Sequence, residues 1–181
     1  MTPQLIKISK YLSKYLRHEP EKLGLVLEPG GWVLVEDLLC AAAKSGFPIS
    51  QEEFLAVLAQ NDKQRFSLDE AGTRVRANQG HSTEVDLQLA PAVPPSVLYH
   101  GTVDQFLEAI FAEGLRKMNR HDVHLSADQT TAAKVGQRRG RPVILQVDAE
   151  KMAADGHEFR CSANQVWLTD HVPARYLKIL D

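Results

Sequence analysis

The chain has 181 residues, 44% of them hydrophobic and 24% charged, the balance of an ordinary globular protein with room for one sizeable domain or two small lobes. Its net charge is −2, with 10 Lys+Arg against 11 Asp+Glu over residues 1–84 and 11 against 12 over residues 85–181, so neither half has the bulk basic character of a non-specific nucleic-acid binder. The absence of an 18-residue apolar run, of a signal or transit pattern at Met1-Thr2-Pro3-Gln4, and of a disulfide or zinc spacing around Cys40 and Cys161 points to a cytoplasmic chain without a membrane span.

Pro3 suits the first turn of a helix capped by Thr2, and Leu5, Ile8, Leu12, Tyr15 and Leu16 recur at three and four as one apolar stripe. Pro20 limits this helix to about Arg17 or His18. Leu25-Val26-Leu27 and Trp32-Val33-Leu34 flank a Pro29-Gly30-Gly31 turn and are expected to pair as short strands. A second helix is expected from about Glu36 to Lys44, stopped by Gly46 and Pro48. Ser50 and Glu53 form a capping box for a third helix with Phe54, Leu55, Val57 and Leu58 inward. Arg65-Phe66-Ser67-Leu68 and Thr73-Arg74-Val75-Arg76 alternate around a turn at 69–72, which predicts a hairpin. Helices followed by a two-stranded wing predict a winged-helix lobe over residues 1–84.

Pro91, Pro94 and Pro95 make residues 85–95 a linker, since three prolines so close forbid a continuing helix and disfavour a central strand. Over residues 96–181, strands alternate with short helices. Val97-Leu98-Tyr99-His100 reads as a strand broken by Gly101-Thr102, and Phe106, Leu107, Ile110 and Phe111 mark a helix stopping at Gly114. Ser126 with Gln129 predicts a capping box for a helix running toward Arg139 and Gly140. Strands are expected over 142–147, 165–169 and 177–180, completing an α+β chain.

Several residues invite chemistry, each with a plain structural reading beside it. Arg17-His18 at a helix end is accounted for by the helix dipole alone. Arg65, Arg74 and Arg76 in the hairpin, followed by Asn78-Gln79-Gly80-His81-Ser82, either grip a phosphate through paired guanidinium donors or are simply solvated. His100-Gly101-Thr102 at a strand end would let a ligand approach backbone and side chains, or is structural. His121 and His124 have a helical metal spacing, but the alternation of Val123-His124-Leu125 puts them on opposite strand faces, so no metal is expected. Val135-Gly136-Gln137-Arg138-Arg139-Gly140-Arg141 is the densest basic segment and has the look of a capped helix end. No G-x-G-x-x-G, Walker loop or G-x-S-x-G elbow occurs, so any dinucleotide would be held in a non-Rossmann manner.

Taken in order, Tyr15-Leu16-Arg17-His18, Gly30-Gly31-Trp32-Val33, Asp62-Lys63-Gln64-Arg65-Phe66, Arg76-Ala77-Asn78-Gln79-Gly80-His81-Ser82, Leu98-Tyr99-His100-Gly101-Thr102, Val123-His124-Leu125-Ser126, Val135-Gly136-Gln137-Arg138 and Val166-Trp167-Leu168-Thr169 resemble the NAD-dependent RNA 2′-phosphotransferase family across nearly the whole chain. The resemblance implies a winged-helix lobe that positions RNA and a C-terminal lobe of the ADP-ribosyltransferase type, with split β-sheets holding NAD⁺ as co-substrate. It places the family's catalytic group on Arg17, His18, Arg65 and Arg138, with Arg139 as the adjacent alternative, brought together from the two lobes around one phosphate. NAD⁺ contacts fall on His100, Gly101, Thr102, His124, Ser126 and Val166, and RNA contacts on Arg76, Gln79 and His81.

The implied reaction removes the 2′-phosphate of a tRNA-like RNA, as in tRNA splicing, through an RNA-2′-phospho-ADP-ribose intermediate. The products are 2′-hydroxyl RNA, nicotinamide and ADP-ribose 1″–2″ cyclic phosphate. A monomer needing no metal is expected. Two other readings stay open: an ADP-ribosyltransferase that caps terminal phosphates of RNA or DNA, and a non-enzymatic winged-helix nucleic-acid binder.

Overall fold

A computed structural model describes residues 1–61 and 63–180. Asp62, within one of the quoted segments, lies outside the described residues. The chain divides into two compact units, Met1–Gln88 and Leu89–Asp181. Mixed helices and antiparallel sheets make it an α+β protein, as expected.

The first unit runs α1 (Pro3–Arg17), β1 (Trp32–Leu34), α2 (Val35–Lys44), α3 (Gln51–Gln60), β2 (Phe66–Leu68) and β3 (Arg74–Ala77). The Thr2 hydroxyl caps α1 by accepting from the Leu5 amide, and Leu5, Ile8, Leu12 and Leu16 bury its apolar stripe. Ser50 and Glu53 cap α3 reciprocally, as the spacing predicts. Phe54 and Val57 turn fully inward, but Leu55 stays 44% exposed, because one step of about 100° carries it off the i, i+3 stripe. The hairpin of β2 and β3 forms.

The pairing expected between 25–27 and 32–34 does not. β1 lies instead against β3, with Val33 opposite Val75, and the sheet order is β1-β3-β2. A single bridge from Glu28 to Trp32 is what remains of the expected hairpin. The physical reason is burial: Val75 is fully buried and offers Val33 an apolar partner, while Val26 is 84% exposed.

The second unit runs β4 (Val97–Val103), α4 (Leu107–Glu113), β5 (Leu115–Arg116), β6 (Val123–Leu125), α5 (Gln129–Gly136), β7 (Pro142–Asp148), α6 (Ala149–Ala154), β8 (Arg160–Cys161), β9 (Trp167–Thr169), β10 (His171–Val172) and β11 (Leu177–Leu180). One sheet has the order β11-β7-β4 and another β6-β9-β8. Leu98, Leu125, Leu145, Val147, Met152 and Phe159 fill the core of this unit.

Three local expectations need correction here. β4 does not stop at Gly101-Thr102 but continues to Val103, paired throughout with β7. α5 is capped by Asp128, whose carboxylate accepts from the Thr131 amide at 2.7 Å, and not by Ser126. Ser126 is committed elsewhere, exchanging backbone hydrogen bonds of 2.8 Å with Tyr99. The strand expected from Gln165 begins at Trp167, since Gln165 has φ of 60°, a left-handed conformation no strand accommodates.

Candidate functional site

In the first unit, Pro20 ends α1 so that Arg17 is its last helical residue and His18 its C-cap. The Arg17 carbonyl, which has no helical partner, accepts from the amides of Ser82 at 2.9 Å and Thr83 at 3.3 Å. The same segment holds the imidazole: His18 Nδ1 lies 2.8 Å from the Ser82 hydroxyl. Arg65, just before β2, accepts through its carbonyl from the Asn78 amide at 2.9 Å and from Arg17 Nη2 at 3.4 Å. Its guanidinium donates from Nη1 to Asn61 Oδ1 at 3.0 Å.

Asn78, buried at the end of the hairpin, braces that loop. It donates to the Gln64 carbonyl at 2.6 Å and accepts from the Ser67 hydroxyl at 2.7 Å. Gln64 itself has φ of 40°, a conformation that costs a non-glycine residue free energy and so needs such bracing.

Arg17, His18 and Arg65 line one cavity of about 340 Å³, together with Ser9, Lys10, Ser13 and Lys14. Among the described residues no carboxylate is in its lining, although Lys14 reaches out to Glu19 at 3.1 Å. Sequence analysis missed Lys10 and Lys14. The signal was present, because residues 10, 14 and 17 fall on one face of α1 beside the apolar stripe. A larger cavity of about 790 Å³, lined by residues such as Leu23, Leu25, Leu34 and Cys40, contains none of the candidates.

The expected RNA contacts do not line the smaller cavity. Arg76 lies 4.6 Å over the Trp32 ring and donates to the Gly30 carbonyl at 3.3 Å, and burial lowers its pKa from the usual arginine value. Gln79 is half-buried. His81 is only 2% exposed, which suits packing beneath the surface better than contact with a polymer.

In the second unit, the backbone pair of Tyr99 and Ser126 draws β4 beside β6, and His100 Nδ1–H donates to the His124 carbonyl at 3.0 Å. Burial lowers the pKa of His100; the His124 carbonyl opposes this and the charge of Arg139 adds to it. The imidazole is therefore neutral at pH 7. Val166 closes a tight turn, its amide donating to the Ser162 hydroxyl at 3.1 Å. Thr102 is buried, and Ser126 half-buried.

Gly101 is required by the protein's own packing. A Cβ there would land on the Ala132 carbonyl oxygen and 2.9 Å from the Gly136 nitrogen, so the absent side chain makes room for α5 of the protein itself. Arg138 and Arg139 are exposed in a 3₁₀ turn, Gln137–Arg139, with the Arg139 guanidinium 5.6 Å from the centre of the Phe106 ring. Among the described residues, no group of three His, Cys, Asp or Glu side chains could hold a metal, and no helix is long and apolar enough to cross a membrane.

An α+β chain with a cavity lined by two lysines, two arginines and a histidine is equipped to hold an anion. Over residues 3–171 the sequence matches the model of the RNA 2′-phosphotransferase, Tpt1 / KptA family. It is 61% identical over 173 residues to a protein of Streptomyces coelicolor named probable RNA 2′-phosphotransferase, covering 96% of this chain and 94% of that protein. Proteins of the same name from Trichormus variabilis, 58% identical over 97% of each chain, and Hahella chejuensis, 52% identical over 100% of this chain and 97% of that one, are also similar. The chain belongs to the RNA 2′-phosphotransferase family.

Proposed function

We propose that this protein removes a 2′-phosphate from RNA with NAD⁺ as co-substrate, releasing 2′-hydroxyl RNA, nicotinamide and ADP-ribose 1″–2″ cyclic phosphate. The observation that carries the reading is the convergence of Arg17, His18 and Arg65, with Lys10 and Lys14, on one cavity in a member of this family. A phosphate monoester is a compact anion carrying up to two charges, and guanidinium forks match its oxygens two at a time.

Each of these residues is held from behind. Asn61 anchors the Arg65 fork, the Arg65 carbonyl steadies Arg17, and Ser82 orients His18. Such anchoring fixes donors before substrate arrives, and one preorganised donor aimed at developing charge contributes about 3–4 kcal/mol. Arg138 is the fourth member of the group on this reading. His18 holds or moves a proton on a phosphate oxygen.

The dinucleotide supplies an acceptor ribose whose nicotinamide departs. The second unit fits such a group: His100 is neutral and fixed in one tautomer, and His124 and Ser126 lie on the neighbouring strand and turn. The two three-stranded sheets and the β4–β6 bridge support an ADP-ribosyltransferase-like reading of this unit, and the three helices with a β1-β3-β2 sheet support a winged helix in the first.

The test is incubation with a 2′-phosphorylated oligonucleotide and NAD⁺, following nicotinamide and the RNA together. Equal yields of nicotinamide and 2′-hydroxyl RNA are expected. Nicotinamide release with ADP-ribose left on the RNA would favour a capping ADP-ribosyltransferase, and no reaction at all would reject the assignment.

A further inference from the structure

The cavity that gathers Arg17, His18 and Arg65 holds more polar groups than those three. Lys10 and Lys14 line it too, with the hydroxyls of Ser9 and Ser13. Residues 10, 13, 14 and 17 recur at three and four along α1 and so share one face of the helix.

These groups are not equally committed. Lys14 lies 3.1 Å from Glu19 and 5.0 Å from the centre of the Tyr15 ring. The Ser9 hydroxyl is buried and accepts from Asn61 Nδ2 at 3.4 Å, the same Asn61 that anchors Arg65. Lys10, by contrast, is exposed and forms no ion pair among the described residues. The half-buried Ser13 likewise makes no side-chain hydrogen bond among them. Lys10 stands about 10 Å along the helix axis before Arg17, farther than one phosphate spans. At about 340 Å³ the cavity is in the range of sites that take whole small ligands.

The chemistry of the substrate supplies a second anion at that distance. Within an RNA chain the 2′ and 3′ oxygens sit on adjacent ribose carbons, so a 2′-phosphate always has a phosphodiester beside it. The monoester carries up to two charges and suits the guanidinium forks, whereas the diester carries one and suits an ammonium point charge. We infer that Lys10, with the Ser13 hydroxyl, binds the 3′-phosphodiester adjoining the 2′-phosphate of the RNA. This rests on the proposed function above and adds a contact that no sequence motif singled out.

The experiment is titration of the full chain, without NAD⁺, with short 2′-phosphorylated oligonucleotides. One carries ordinary linkages, one a neutral methylphosphonate in place of the 3′ linkage, and one the same replacement at the 5′ linkage. Lys10→Gln is expected to weaken binding of the ordinary oligonucleotide about three- to tenfold, between the values of exposed ion pairs and of charged hydrogen bonds. The slope of log affinity against log salt should fall by about 0.7, the share of one phosphate. The neutral 3′ linkage should weaken the parent by a similar factor and Lys10→Gln hardly further. Lys10→Arg should restore both the affinity and the dependence on the 3′ linkage. Lys7→Gln removes a charge from the exposed surface of the same helix outside the cavity and should bind as the parent does.

Losses from Lys10→Gln and the neutral 3′ linkage that simply multiply would overturn the inference, as would coupling of Lys10 to the 5′ linkage instead. An equal loss in Lys7→Gln would make the effect one of general charge and overturn it as well. A parent that needs the 2′-phosphate but ignores the neutral 3′ linkage would overturn this inference alone. A parent that binds oligonucleotides alike with and without the 2′-phosphate would remove the proposed function along with it.

Discussion

Gly101 on β4 and Gly136 at the end of α5 meet without room for a side chain on either. A Cβ on Gly101 would stand 2.9 Å from the Gly136 nitrogen, and one on Gly136 would stand 3.2 Å from the Gly101 carbonyl carbon. The atoms in the way are backbone and cannot rotate aside. Gly101→Ala should therefore cost at least about 1–3 kcal/mol of stability, and Gly101→Val should fold poorly. The check is a urea unfolding midpoint beside binding of both ligands. A Gly101→Ala protein that unfolds like the parent yet binds no dinucleotide would make Gly101 a ligand contact instead.

Arg65→Ala should lower turnover by at least about a hundredfold, the scale seen when a single transition-state donor is removed. Its side chain is half-buried and its carbonyl bonds survive the change, so the unfolding midpoint should move little. Arg65→Lys should recover little activity, because an ammonium lacks the fork that spans Asn61 and a phosphate. Near-normal single-turnover rates in Arg65→Ala would remove Arg65 from the phosphate.

Affinity for RNA should depend on salt only weakly. The cavity is local and the first unit near neutral, so a slope of about 1 to 3 in log affinity against log salt is expected, at roughly 0.7 per phosphate neutralised. Titrating matched oligonucleotides with and without the 2′-phosphate checks this. A steep slope that persists without the 2′-phosphate would reveal an extended RNA-binding surface.

The hairpin turn should be sensitive to acid. Amide and side-chain hydrogen bonds from Arg74 and Thr73 hold the Asp69 carboxyl at about 2, below the ordinary aspartate value of about 3.9. The folded state thus favours the ionised form. Its contribution to stability is complete above pH 4 and is lost as pH falls toward 2. Carbon NMR of the Asp69 carboxyl should show the low titration. Asp69→Asn should remove this part of the acid dependence, and an Asp69 titrating near 4 would refute it.

Local signals were legible where a residue's partner lies within a few positions. The Thr2 cap, the Ser50–Glu53 box and the 66–77 hairpin all formed as read. Long-range competition was not legible: nothing in 25–34 reveals that β3, some forty residues on, offers β1 a better edge than its own neighbour does. The same holds at Gly101, where the reason for glycine is a helix that follows later in the chain. Asp128 displaced Ser126 as a cap because the Ser126 backbone was taken by Tyr99. In the candidate site, Arg17, His18 and Arg65 were found by resemblance. Lys10 was readable from helical spacing alone, but only once the cavity had given that face a meaning.

The hydrogen bonds from Ser82 and Thr83 onto the end of α1 span a long stretch of chain, 64 positions between His18 and Ser82. They set an order of events during synthesis. A nascent chain emerging from the ribosome can form α1 early, because its bonds are local, but the helix end and the His18 ring stay unfastened until residue 83 is out. A chain cut short before Ser82 would thus carry Arg17, His18 and Arg65 without the clasp that orients them. The cavity lined by Arg17, His18 and Arg65 is, in this sense, the last part of the first unit to be fastened.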